Sequence, residues 1–409
     1  MRDFLNQQKK RSVELADVFL RDGEAYRQKH GVSIAQNKVM KAISSCRTSV
    51  LGGHVSSCTH CGALEVQYNS CRNRHCPKCQ TVKQLRWLEG RKTELLPIEY
   101  FHVVFTIPHE LNGLAGYNQS VLYNLLFKAA WMAIRTLGLD PKRLDGQMGM
   151  LSVLHTWGQN LSQHIHLHCI IPGGALCEGA DGPKWHSCKP GFLFPVKVMS
   201  QLYGRIFLSL LQQAYTNNEL SFKGAIADLG SPKAFAKLMA GLKRKSWNVY
   251  AKAPFNGAIG GLEYIARYIS KIAIGNERIL SCENGEVRFK WRDYADHNAS
   301  KVMTLDSDEF IRRFLQHVLP NGLVRIRSFG FLANACKVKN LKLIRSVLPQ
   351  AEEEPSIEAI KTETEPALEL IERITGVDVL RCKHCKIGRL ERIGSIPSFR
   401  QSLNYLDTS

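Results

Sequence analysis

Six of the chain's thirteen cysteines fall between Cys46 and Cys79. The surrounding segment, residues 41–90, is rich in Arg, Asn and Ser and shows little apolar periodicity. A stretch with so little to bury needs something besides hydrophobic packing, and clustered thiols point to a metal. Cys58-x-x-Cys61 followed by Cys76-x-x-Cys79 offers four thiolates, the donor set that Zn²⁺ takes in a tetrahedron. Gly62 after the first pair and Pro77 within the second suit tight turns that aim both sulfurs inward. The spacing therefore predicts a structural zinc on Cys58, Cys61, Cys76 and Cys79. Cys46, His54, His60, Cys71 and His75 are left over, and Cys46, His54, Cys71 and His75 could build a second site.

The start, MRDFLNQQKKRS, has basic residues with no apolar core after them. Reduced thiols or metal ligands are thus expected rather than disulfides, in a cytoplasmic protein. No apolar run approaches the roughly eighteen residues of a membrane span, so no membrane partner is expected. Lys and Arg exceed Asp and Glu by 55 − 36 = 19. Residues 351–370 hold seven Glu and one Lys, a net of −6, so the remainder carries +25. A surplus of that size favours a polyanionic partner, nucleic acid first. Arg72, Arg74, Lys78 and Lys83 lie among the candidate ligands, as in a zinc module that grips DNA phosphates.

The segmentation predicts helices over residues 1–40, the zinc-binding module at 41–90, a large domain at 95–345, an acidic linker at 346–375 and a tail at 376–409 that carries Cys382-x-x-Cys385. In the large domain, apolar β-branched and aromatic runs predict strands at 100–107, 148–157, 165–171, 246–252, 286–292, 301–305 and 323–330. Helical patterns interleave at 117–138, 198–215, 231–242, 262–274 and 306–318. Mixed order with hairpins predicts an α+β fold, an antiparallel sheet with helices packed on it.

Two motifs in that domain carry chemistry. The segment LHTWGQNLSQHIHLHCIIPGG holds His155, His164, His166 and His168. Side chains alternate along a strand, so His164, His166 and His168 share a face opposite Ile165, Leu167 and Cys169. A turn symmetric about Asn160-Leu161 would set His155 opposite His166, so that His155, His166 and His168 converge on one ion. Such a site leaves positions open for substrate oxygen. Mg²⁺, Mn²⁺ and Zn²⁺ all remain open, since imidazole suits the later metals and phosphate chemistry the first two. The second motif is GGLEYIARYISKIAIG at 260–275. Ile265, Ile269 and Ile272 would face the sheet, with Tyr264, Tyr268 and Lys271 on an adjacent stripe. Each phenol is a candidate nucleophile toward a phosphodiester, with Lys271 and Arg267 assisting through charge.

Taken together, CRTSVLGGH, SCRNRHCPKCQ, HTWGQNLSQHIHLHCIIPGG, YIARYISK and FIRRFLQHVLPNGLVRIRSFG resemble the two-tyrosine, HUH-type rolling-circle transposases of bacterial insertion sequences, over about residues 40–330. The resemblance implies a central antiparallel sheet that presents His166 and His168 to a divalent ion, Mg²⁺ or Mn²⁺, and a helix that presents Tyr264 and Tyr268 as nucleophiles. It implies single-stranded DNA at element ends and at the target as substrate, held through 5′-phosphotyrosine links. No GxxxxGK[ST] motor motif is present, so a host helicase and polymerase are expected partners, near the bacterial nucleoid. The alternatives are an HUH replication initiator, and a zinc-dependent DNA-binding regulator without catalysis.

Overall fold

A computed structural model describes residues 12–79, 81–252, 260, 272–348 and 365–399. Two helices open the described chain, α1 (Leu15–Lys29) and α2 (Ile34–Ser44). Helix α2 starts at Ser33, whose hydroxyl accepts from the Gln36 N–H while the Gln36 amide oxygen accepts from the Ser33 N–H. A hairpin follows, β1 (Gly53–Cys58) and β2 (Leu64–Tyr68), then α3 (Thr81–Lys92) and β3 (Tyr100–Thr106). Next come α4 (Asn112–Tyr117), α5 (Gln119–Gly138), β4 (Gly149–Trp157), β5 (Gln163–Pro172), β6 (Gly174–Gly179), β7 (Gly182–Ser187), α6 (Val196–Thr216), α7 (Pro232–Arg244) and β8 (Val249–Lys252). The later part holds β9 (Ile279–Glu283), β10 (Glu286–Asp293), β11 (Ala299–Asp306), α8 (Ser307–Leu315), β12 (Ile326–Gly330), α9 (Lys337–Val347), α10 (Ala367–Thr375) and β13 (Leu390–Ile396). Among the described residues no helix is long and apolar enough to cross a membrane.

The architecture is α+β. Its centre is a five-stranded sheet in the order β12-β4-β5-β3-β8, with every pairing antiparallel. One face carries Phe101, Val103, Phe105, Leu154, Leu167, Cys169 and Ile171, all buried against helices α4 to α7. Helix α5 meets it with Leu122, Leu126, Ala130, Ala133 and Leu137, the 3–4 spacing of a core-facing stripe. Each fully buried Phe or Leu there contributes about 1.5–3 kcal/mol through removal from water. The opposite face is divided. Tyr100, Leu151, Val153 and Ile170 form an apolar half that Trp87 and Leu88 of α3 cover. The other half is histidine.

A second core joins α1 and α2 to the three-stranded sheet β11-β10-β9 and to α8. Phe19 of α1 meets Phe314 of α8 edge-on, ring centroids 5.5 Å apart. The N-terminal helices are therefore packed into the body of the chain. A third sheet has the order β13-β1-β2. The tail after residue 375 thus completes the sheet of the cysteine-rich hairpin, and two segments that read as separate in sequence are one in space.

Candidate functional site

Strand β5 lies between β4 and β3, and its register fixes the histidines. His155 of β4 stands opposite His166, and Val153 opposite His168. From β3, Thr106 and Val104 flank His166 and His168 on the other side. The hairpin turn is gripped from outside. The Gln316 side-chain amide donates to the Leu161 carbonyl at 2.8 Å, the Arg313 guanidinium donates to the Asn160 carbonyl at 3.1 Å, and Nε2 of fully buried His317 lies 3.1 Å from the Leu161 carbonyl. Leu161 is fully buried at φ 62, so side-chain packing holds a backbone conformation uncommon outside glycine.

His155, His166 and His168 are buried, and their ligand nitrogens lie within 4.8 Å of one another. Nε2 of His166 and Nε2 of His168 face each other at 3.1 Å. Two nitrogens at about 2.1 Å from one cation would stand roughly 3 Å apart, so the spacing fits a metal. His166 Nδ1 lies 2.8 Å from the His164 carbonyl, which fixes its hydrogen there and leaves Nε2 its lone pair. Burial pushes His166 down to about 3 and His168 well below the imidazole range, so both are neutral, the ligand form, near pH 7. His164 is exposed and outside this trio. His102 of β3 was not among the sequence candidates, yet its Nε2 is 2.9 Å from His168 Nδ1. The signal was present: His102 has the same strand parity as Val104, which pairs with His168. Tyr264, Tyr268, Lys271 and Arg267 lie outside the described residues.

The expected zinc quartet of Cys58, Cys61, Cys76 and Cys79 is not assembled. Cys76 and Cys79 instead join Cys46 and Cys71, with Cys79 Sγ 3.4 Å from Cys46 Sγ and 3.6 Å from Cys71 Sγ. Cys58 and Cys61 meet the tail cysteines Cys382 and Cys385. The first pair sits at the tip of the β1–β2 hairpin, and β2 runs from there back toward the second pair, so the hairpin holds the two apart in a way sequence spacing alone does not register. The alternative set of Cys46, His54, Cys71 and His75 fails at both histidines. His54 Nε2 is 3.2 Å from the Gln67 side-chain oxygen across the hairpin. His75 is buried, its Nε2 accepts the Leu319 N–H at 3.1 Å, and its Nδ1 lies 3.1 Å from Asn73 Oδ1. Burial pushes His75 down to about 3, so it stays a neutral acceptor.

Two of the cations expected on DNA are occupied elsewhere. Arg74 is half-buried and donates to the carbonyls of Leu319, Pro320 and Leu323 at 3.2, 2.7 and 2.8 Å. Lys78 pairs with Glu14 at the start of α1. Both fasten the cysteine-rich segment to the body, because the carbonyls after α8 and the carboxylate before α1 come within reach only in the fold. Arg72 is exposed beside them.

With this geometry in hand, comparison with known proteins is specific. A family model described as "Transposase zinc-binding domain" matches residues 18–107, and one described as "Putative transposase" matches residues 149–340. The chain is 45% identical over 381 residues to "Putative transposase y4qJ" of Sinorhizobium fredii, covering 92% of this chain and 94% of that one. It is 25% identical over 318 residues to "Transposase for insertion sequence element IS801" of Pseudomonas savastanoi pv. phaseolicola, covering 76% and 74%. No solved structure matches.

Proposed function

Because this chain belongs to the insertion-sequence transposases that join a zinc-binding domain to a transposase domain, we propose that it nicks and rejoins single-stranded DNA at element ends through paired tyrosines. The observation that carries this reading is the buried trio His155, His166 and His168, whose ligand nitrogens converge on one point of the sheet. A divalent cation there, Mg²⁺ or Mn²⁺, would polarise the scissile phosphate and offset the charge that develops on it.

The chain's own residues would do the rest. The phenolic oxygen of Tyr264 or Tyr268 attacks phosphorus, the bond from phosphorus to the 3′ oxygen breaks, and the phenolic proton passes to solvent while the departing 3′ oxygen takes one up. The 5′ phosphate stays on tyrosine, so the energy of the broken bond is kept and a later 3′-OH can reverse the step. Two tyrosines allow two strands to be held in succession without nucleoside triphosphate. Lys271 and Arg267 assist through charge, and exposed Arg72 contacts the DNA backbone. A host helicase and polymerase would supply unwinding and copying.

The test is a suicide assay with a labelled single-stranded oligonucleotide of an element end and Mn²⁺. The wild-type chain should form an adduct that survives denaturation. Tyr264→Phe with Tyr268→Phe should form none, and His166→Ala with His168→Ala should abolish cleavage while binding persists. Adducts from the double phenylalanine variant would overturn the nucleophile assignment.

A further inference from the structure

The two CxxC pairs farthest apart in the sequence meet in space. We propose that a second structural zinc ion, held by Cys58, Cys61, Cys382 and Cys385, makes the tail a permanent half of the head's metal module.

The sulfurs carry the inference first. Cys58 Sγ is 3.6 Å from Cys385 Sγ, Cys61 Sγ is 3.8 Å from Cys382 Sγ, and all four lie within 4.8 Å of one another. A tetrahedron with Zn–S bonds of about 2.3 Å requires sulfurs about 3.8 Å apart. A disulfide would need about 2.05 Å.

The backbone repeats the same device on each side. The Gly62 N–H donates to the Cys58 carbonyl at 3.0 Å, and the Lys386 N–H donates to the Cys382 carbonyl at 2.9 Å. Gly62 and Lys386 both turn left-handed, with φ 69 and φ 59. An amide N–H points at a sulfur in each knuckle, from His60 to Cys58 Sγ and from Gly388 to Cys385 Sγ, both at 3.4 Å. Gly388 sits against the site so closely that a Cβ there would lie 2.6 Å from Cys58 Sγ.

The two knuckles are joined as one ribbon. Strand β13 pairs with β1 from Gly53↔Ile396 to Cys58↔Leu390, and the Thr59 N–H donates to the Arg389 carbonyl at 2.9 Å. Besides the cysteines, the apolar cluster at the sulfurs consists of Leu390 and Ala63 among the described residues. So small an apolar contact does not hold two loops in register alone, and a tetrathiolate metal does.

The experiment counts thiol-bound zinc in the full-length protein by mercurial titration with a chromogenic zinc indicator. That reaction releases metal from sulfur only, so an ion on histidine does not enter the count. The wild-type chain should release two zinc ions. Cys382→Ser with Cys385→Ser should release one, and trypsin should then cut within residues 376–399, which resist it in the wild type. One zinc from the wild-type chain, two from the serine variant, or a tail held by disulfides in the intact mass would each overturn the proposal. If the serine variant fails to fold, the wild-type count decides by itself. The readout is independent of DNA cleavage, so it stands or falls apart from the nuclease reading.

Discussion

His102 shows how a single side chain can govern a site it does not enter. When His168 donates from Nδ1 to Nε2 of His102, 2.9 Å away, its own Nε2 keeps the lone pair a metal needs. His102→Ala should lower Mn²⁺ affinity about 10–100-fold, and His102→Gln, which keeps an acceptor for His168 and more of the buried volume, should recover part of it. Isothermal titration reads the affinity, and an unchanged value for the alanine variant would make the bond merely structural. The cations of the head separate in the same way. Arg72→Ala should weaken single-strand binding and flatten its dependence on salt by about 0.7 in the log–log slope. Arg74→Ala strips hydrogen bonds from three carbonyls, so it should lower stability by about 1–3 kcal/mol and leave that slope in place. Filter binding across a salt series, beside urea denaturation, checks both. Sequence proximity to cysteines had made Arg72, Arg74 and Lys78 look alike, because residue type does not say which carbonyl or carboxylate will be near.

At the scale of elements, the β4–β5 hairpin was the most legible part of the chain. Alternation placed the histidines on one face, and His155 stands opposite His166 as expected, although a register shift nearer the turn pairs Trp157 with Gln163 in place of the symmetric turn. The strands expected at 148–157 and 165–171 appear as Gly149–Trp157 and Gln163–Pro172. What local pattern could not reveal was the grip on the turn, since Arg313, Gln316 and His317 are about 155 residues away in the chain. Burial pushes His317 down to about 4 from the ordinary 6.5, so the folded state stays neutral where the unfolded chain takes a proton. Stability from this group is therefore full above pH 6.5 and declines between pH 6.5 and 4, by up to about 3 kcal/mol in all. His317→Gln, which cannot titrate, should lose about 2 kcal/mol less than wild type between pH 7.5 and pH 5. Denaturant midpoints at the two pH values measure the difference, and equal losses would refute it. The hairpin β6–β7 and strands β9 and β13 escaped sequence reading. Their charged and glycine-broken runs lack clean alternation, and neighbours supply their pairing.

For the whole molecule, the α+β class followed from the order of strand-like and helix-like runs, and the presence of a thiol-rich metal module followed from cysteine spacing. The grouping of those cysteines did not, because partners such as Cys61 and Cys382 are 321 positions apart and nothing local ties them. The layout into five consecutive segments failed to anticipate two long-range closures. One packs α1 and α2 on α8, and the other pairs β13 with β1. The second closure has a consequence for synthesis. At about 5–20 residues per second, the ribosome delivers Cys382 some tens of seconds after Cys61. Throughout that interval β1 offers one bare edge, open to any extended segment that comes near. A chain cut short by a premature stop would keep that edge exposed for its lifetime, so a nascent or truncated copy is sticky in a way that a finished one is not.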